Sequence, residues 1–425
     1  MSESTGAERS ESAAQIAPLP RISIQAFCET PAVVAVVDEA AADRRVDKAH
    51  VKVQLGGVPA AIEAFRSAPT PNLIVLETLG DRRRLVAQLE SLAEFCDAGT
   101  KVVVIGHEND IALYRDLTAR GVSDYIVAPL DVLSLISRLS DIYNSAGAEI
   151  LGRIVAVVGA KGGVGASSVA HNVAWSIARN LQLQTVIADL DLAFGTAGLD
   201  FNQDPPQGIA EAVFAPDRVD SNLVDRLLSK CSDSLSILAA PATIERLYDL
   251  SETAYDAVID VLRSSSPCTI LDVPHQWTAW TRRVLVGADE VVIVACPDLA
   301  NLRNAKTLFD GLRQARQNDR PPKIVLNCVG VPRRPEIAAA EFAKAIEVES
   351  TAVIPFEPKL FGAASNNGQM IAEVEPGAKV VEVFDGLGRE LMGRSGTRKT
   401  KSGLLQPLLK RFSRKLAGRD VRRGF

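Results

Sequence analysis

The residues best suited to chemistry are gathered in the stretch VVGAKGGVGASSVAHN, Val157 to Asn172. Glycines 162, 163 and 165 follow an apolar, strand-like run, RIVAVVG, and precede a helix-periodic one, SVAHNVAWSIA. Glycine lets the backbone curl until several N–H groups and a helix N-terminus converge on one anion. Lys161, Gly162, Gly163, Val164, Gly165, Ala166, Ser167 and Ser168 therefore read as a phosphate-binding loop. Ser167 falls in the first helical turn, where a hydroxyl can cap the helix or ligate Mg²⁺, and Ser168 can reach a phosphate oxygen. Asp189 and Asp191 end the next strand in IADLD, and Asp272 ends another in TILDVP. Carboxylates at strand C-termini, on the ligand-binding edge of a parallel sheet, suit a magnesium–nucleotide site.

Ala166 breaks the pattern, because a phosphate loop ordinarily carries lysine there. Losing one charge-assisted contact costs about 1.5–3 kcal/mol of binding. Backbone amides and the metal would still hold the ligand. The larger loss falls on hydrolysis, where the missing cation would neutralise charge in the transition state. The expectation is ATP and Mg²⁺ binding with slow or absent turnover; the competing reading is an empty relic kept as a strand-to-helix turn.

Two series of elements must position these residues. From Ala32 the runs VVAVVD, VKVQLG, NLIVLE, KVVVIG and DYIVAP alternate with amphipathic stretches such as AAIEAFRSA and RRLVAQLESLAEF. Short strands alternating with helical periods indicate parallel βαβ units. A polar connector, NSAGAEILGR, leads to a second series: RIVAVVGA, QTVIADLD, LSILAAP, CTILDVP, EVVIVACP, KIVLNCVG and STAVIPF. The predicted fold class is α/β, two doubly wound parallel-sheet domains. The boundaries read as a disordered leader over 1–31, a front domain over 32–140, a linker over 141–150, a second domain over 151–392 and a basic tail over 393–425.

With 425 residues, 47% hydrophobic and 23% charged, the chain suits two cores. The six cysteines lack metal-ligand spacing and read as small buried hydrophobes in a reducing cytoplasm. No signal peptide or membrane-spanning run is legible, so a cytoplasmic location is expected. The net charge of −5 hides a basic tail. If a helix starts at Pro407, Leu408, Leu409, Phe412 and Leu416 share one face, with Lys410, Arg411, Arg414 and Lys415 around the other. Such a helix suits an anionic membrane surface. A nonspecific DNA-binding tail and a solvated end remain the alternatives.

AKGGVGAS resembles the deviant Walker A motif, x-K-G-G-x-G-K-[ST], of the MinD/ParA ATPases. The resemblance implies that Lys161 crosses a nucleotide-sandwich homodimer to the partner's phosphates and that Asp191 orients the attacking water with Mg²⁺. It also makes Asp272 the Walker B acid, and lets Asn327 in VLNCVG with Pro355 and Phe356 flank the adenine. By the same resemblance, VPHQWTAWTRR is the switch segment, with Trp277 or Trp280 reporting nucleotide state. The front series is similar to the receiver domains of response regulators, with Asp38 and Glu39 as the acidic pair closing the first strand. The phosphoacceptor place reads Glu77, the hydroxyl place Gly106 and the lysine place Ala128-Pro129, so phosphorylation is not expected. Glu77 would be a fixed mimic of the phosphorylated state in a docking or dimerisation module.

A receiver-like domain joined to a MinD/ParA-like domain with a weakened Walker A is similar to the CpaE/TadZ proteins of tight-adherence (Flp-type) pilus assembly. That implies a polar localisation factor for the pilus secretion machinery, and the tail would add a peripheral contact at the inner membrane or cell pole. A partition-type ATPase cycling on DNA is the alternative. His171 is open to two readings, facing the nucleotide or packing in its helix; His50, His107 and His275 lack metal-like spacing.

Overall fold

The computed structural model describes residues 16–143 and 151–393. The front domain is a five-stranded parallel sheet, β1 Ser23–Cys28, β2 His50–Leu55, β3 Leu73–Glu77, β4 Lys101–Gly106 and β5 Asp124–Val127. Its order is β2-β1-β3-β4-β5. The second domain carries β6 Arg153–Gly159, β7 Thr185–Asp189, β8 Ser229–Lys230, β9 Leu235–Leu238, β10 Cys268–Val273, β11 Glu290–Ala295, β12 Lys323–Val329 and β13 Ser350–Pro355. These lie in the order β13-β12-β11-β6-β10-β7-β9-β8, parallel except for the antiparallel β8–β9 pair.

A parallel sheet covered on both faces selects continuous apolar strands, and successive side chains divide between the two cores. In β6, Ile154, Ala156 and Val158 enter one core while Val155 and Val157 enter the other. In β3, Leu73 and Val75 face one way and Ile74 and Leu76 the other. Among the described residues no helix is long and apolar enough to cross a membrane. Cys28, Cys268 and Cys296 are buried, and Cys96, Cys231 and Cys328 are half-buried, all as free thiols.

The first expected strand is corrected. VVAVVD lies in the helix Pro31–Ala41, so Asp38 and Glu39 are helical residues and do not close a strand. Thr30 caps that helix, accepting from Val33 N at 3.3 Å, and Pro31 opens it; proline is pre-organised for a first helical position. A short apolar run does not distinguish strand from buried helix by periodicity alone. The true first strand, SIQAFC, lies within the stretch expected as a disordered leader, and Leu19 before it is buried. The helix Val132–Tyr143 likewise runs past the expected boundary at 140. Residues 1–15, the connector 144–150 and the tail helix proposed from Pro407 lie outside the described residues.

The two domains are joined by an interlock that the sequence did not announce. Arg44, in the segment after the helix Pro31–Ala41, bonds Asp319 Oδ2 through Nε at 2.7 Å and Asp289 Oδ1 through Nη1 at 3.3 Å, and donates to the Gly287 carbonyl at 3.1 Å. Arg45 is fully buried and pairs with Asp43 at 2.9 Å and with Asp319. From the second domain, Arg263 meets Asp289 at 2.7 Å, and Arg316 donates to the carbonyls of Leu285 and Asp289. At the rim, Arg283 meets Asp47 at 2.7 Å and Lys48 pairs with Asp260. Asp289 and Asp319 precede β11 and β12, so the front domain docks on the sheet edge opposite the loop that follows β6.

Removing one partner of a buried pair leaves an uncompensated charge. Arg44→Ala is expected to lower stability by about 3 kcal/mol, read as a shift in the urea midpoint. Arg44→Lys should recover less than half of that loss, because an ammonium lacks the planar fork that reaches two carboxylates and a carbonyl.

Candidate functional site

The loop after β6 turns at two glycines in the left-handed region, Gly163 at φ 77° and Gly165 at φ 79°. At Gly165 a Cβ would stand 2.5 Å from Asn327 Nδ2. The loop is fastened from behind. Ala160 N donates to the Val294 carbonyl at 2.8 Å, Asn304 Nδ2 to the Ala160 carbonyl at 3.0 Å and Asn327 Nδ2 to the Val164 carbonyl at 2.8 Å. His275 Nδ1 lies 2.8 Å from the Gly159 carbonyl. The last three of these contacts engage carbonyls of the strand end and loop.

The helix Ala166–Asn180 follows with no side-chain cap, and the first four N–H groups of a helix have no intrahelical acceptor. An uncapped terminus behind a glycine turn fits an anionic phosphate. Lys161, Gly162 and Gly163 are exposed, Ser167 and Ser168 are half-buried, and the Ala166 methyl packs on the core beneath the loop.

Asp272 and Asp189 sit side by side in the β10–β7 register, 5% and 1% exposed. Asp189 accepts from Asp191 N and Ala197 N, both at 3.1 Å, and so pins the backbone that carries Asp191. Burial and the neighbouring Asp272 raise its carboxyl above the usual range. Asp191 is half-buried and accepts from Phe194 N at 3.1 Å. Among the described residues no three His, Cys, Asp or Glu side chains are grouped to hold a metal by themselves. A hydroxyl and one or two carboxylates suit a Mg²⁺ that takes its remaining ligands from water and phosphate, and that is the donor chemistry Ser167, Asp191 and Asp272 offer.

His171 does not face the loop. Its ring is fully buried, with Nδ1 2.8 Å from Asp200 Oδ2 and Nε2 3.4 Å from Asp272 Oδ2, the longer contact being an ion pair without hydrogen-bond geometry. Burial opposes its charge, but the two carboxylates outweigh burial and push its pKa up to about 10.

Asn327 is buried with its amide turned to the loop, while Pro355 and Phe356 lie beside Val329, two residues further along β12, with Phe356 N donating to the Val329 carbonyl at 2.8 Å. Trp277 is 58% exposed, whereas Trp280 is buried against Tyr255 with ring centres 4.8 Å apart. The sequence carries no signal for Asp200 or Asn304, and it offers His275 only as a metal ligand without the spacing. Each is a single polar residue whose role depends on a contact distant in sequence, and no local spacing marks it.

In the front domain Glu77 ends β3 and is fully buried. It accepts from the backbone N–H of Glu29 and Thr30 and from Thr30 Oγ1, each at 2.7 Å, and lies 3.0 Å from His107 Nε2. Burial acts against its charge, yet the hydrogen bonds of Thr30, His107 and Glu29 hold its carboxyl below the usual range. At Gly106 an added Cβ would meet the Tyr125 hydroxyl at 2.1 Å, so Tyr125 fills the space where a hydroxyl side chain was sought.

A depressed folded-state pKa gives stability that is present above the unfolded value and lost as pH falls through the folded one. Glu77→Gln is expected to cost about 2 kcal/mol at pH 7. The difference from wild type should narrow below about pH 4.3, as urea unfolding at pH 7 and pH 3 would show.

No family model matches the chain. The septum site-determining protein MinD of Synechocystis is 24% identical over 271 residues, 63% of this chain and all of that one. A ParA family ATPase structure from Chlorobium tepidum is 25% identical with a TM-score of 0.51, covering 56% of this chain and 98% of the other. A structure of the pilus assembly protein CpaE from Caulobacter crescentus is 48% identical, covering 30% of this chain and 96% of the other, with a TM-score of 0.29. Over part of its length the chain thus has the fold of the MinD/ParA ATPases, and over 30% of its length it is similar in sequence to a CpaE pilus assembly protein.

Proposed function

We propose that this chain is an ATP-binding localisation and assembly factor for Tad (Flp-type) pilus biogenesis, acting as a nucleotide-dependent homodimer with weak or absent hydrolysis. The observation that carries the nucleotide part is the loop itself. Two left-handed glycines feed an uncapped fifteen-residue helix, with Asp272 at the neighbouring strand end and a methyl at position 166. In this reading the helix-terminal amides hold the phosphates, and Ser167, Asp191 and Asp272 share the Mg²⁺. The segment Asn327 with Pro355 and Phe356 borders the base, and Lys161 reaches the second copy.

The bound metal ion would supply charge neutralisation at the phosphates; the chain's own residues bind and orient. Weak turnover follows from Ala166, since no side chain of the loop other than Lys161 is cationic. The pilus assignment draws on the joining of a receiver-like sheet to this ATPase fold and on the likeness to CpaE. The partition-ATPase alternative asks for sustained hydrolysis, and Ala166 argues against it. Assembly partners, a polar position and a membrane contact by the tail belong to the same proposal.

Calorimetry with Mg–ATP and light scattering test it together. Wild type should bind ATP and shift toward dimer; Lys161→Ala should bind but remain monomeric. Ala166→Lys should raise turnover about 10²-fold. Absence of ATP binding by wild type, or turnover equal to that of Ala166→Lys, would overturn the reading.

A further inference from the structure

The segment after β7 is held at three points. Asp189 grips its backbone at Asp191 and again at Ala197, and at Gly195 an added Cβ would stand 2.4 Å from Asp189 Oδ2, so the chain rides directly on that carboxylate. The third point is Asp200. Its Oδ2 takes His171 Nδ1 at 2.8 Å, while the other ring nitrogen faces Asp272 Oδ2 at 3.4 Å. A residue that merely filled space would not present both nitrogens of a fully buried ring to two carboxylates.

The Phe201 ring completes the contact, 5.6 Å from the imidazole and 6.5 Å from Trp175 on the same helix. Outward, the segment carries Phe194 and Leu199, 70% and 73% exposed. It therefore has one face tied to the sheet and the other open.

We propose that His171 is a positioning residue, which latches the segment from Asp191 to Phe201 onto the phosphate-loop helix through Asp200 and fixes Asp272 from the same ring. The latch is a property of the protein alone; its consequence for nucleotide rests on the reading of the site given above. Releasing it frees Asp191 to move and removes the ring that sets the orientation of Asp272. The ring nitrogens face Asp200 and Asp272, not the phosphate-loop amides.

Hydrogen–deuterium exchange on the full chain tests this, following peptides within 190–203 in wild type, His171→Gln, Asp200→Asn and the double variant. Each single change should raise exchange in that segment about tenfold. The double should exceed neither, because both delete one shared interaction. Exchange in the front domain should stay at the wild-type rate, and the Mg²⁺-dependent gain in ATP affinity, measured by calorimetry with and without EDTA, should shrink.

Unchanged exchange in Asp200→Asn, or single effects that add in full, would overturn the latch. Asp200 has a partly exposed side chain, so that variant decides the matter if His171→Gln does not fold. Should wild type bind no ATP, the nucleotide reading falls while the exchange result still judges the latch.

Discussion

A carboxylate withdrawn from water is stable only where donors or cations replace its hydration, and this protein places such carboxylates at the ends of its parallel strands. Glu77 closes β3 against four hydrogen-bonding groups. Asp272 in β10 and Asp189 at the end of β7 lie side by side at one end of a strand pair, with His171 facing the first and two backbone amides donating to the second. Asp289 and Asp319, just before β11 and β12, are answered by Arg44, Arg45, Arg263 and Arg316. Each acid dictates which neighbours may surround it, so the loops around it have little freedom to vary their path.

The same requirement separates the two domains in kind. In the front domain both oxygens of Glu77, the acid that ends β3, are already engaged by the protein's own donors. A carboxylate so occupied offers no free oxygen to an incoming phosphoryl group, and it keeps its charge without one. In the second domain the balance is left incomplete. Asp189 carries a raised pKa beside Asp272, and the helix terminus next to them has no cap. On the reading proposed above, a cation and an anion arriving as a pair would answer both the crowded carboxylates and the uncapped terminus, which is the electrostatic description of a metal–phosphate ligand.

Legibility in the sequence followed from how local each signal was. All seven expected strands of the second domain appear, because a strand buried on both faces must be apolar throughout its length; the two-residue β8 is too short to leave such a trace. In the front domain VVAVVD deceived for the same reason, since a helix buried by Val33, Val37 and Ala40 also reads as a run of apolar residues. The Thr30-Pro31 pair was the available correction, a cap followed by a first-turn proline. The phosphate loop was legible because glycines and serines at fixed offsets do their work within eight residues. His171 with Asp200, and Arg44 with Asp289 and Asp319, join residues 29 and more than 240 positions apart. No spacing rule reaches that far.

The polarity of the second sheet also decides what the front domain can touch. Parallel strands put every C-terminal end, and with it the loop, Asp191 and Asp272, on one edge. The front domain occupies the other edge, where a cleft of about 810 Å³ is lined by Arg44, Lys48, Asp260 and Arg283. The strands span the distance, and so does one helix that touches both edges. The helix Ala279–Gly287 starts six residues after Asp272, at the Thr278 cap, and ends where Arg44 takes the Gly287 carbonyl and Arg316 that of Leu285. Cations at a helix C-terminus oppose its negative end and hold it in place. Nine residues of helix span about 13 Å, so the segment Pro274–Thr278, with His275 against the phosphate-loop strand, is tethered to a helix whose far end is clamped by the front domain. Any displacement of that segment that carries the helix with it must therefore draw on the Arg44 contacts, and the stiffness of the interlock sets how far the strand-end residues can move.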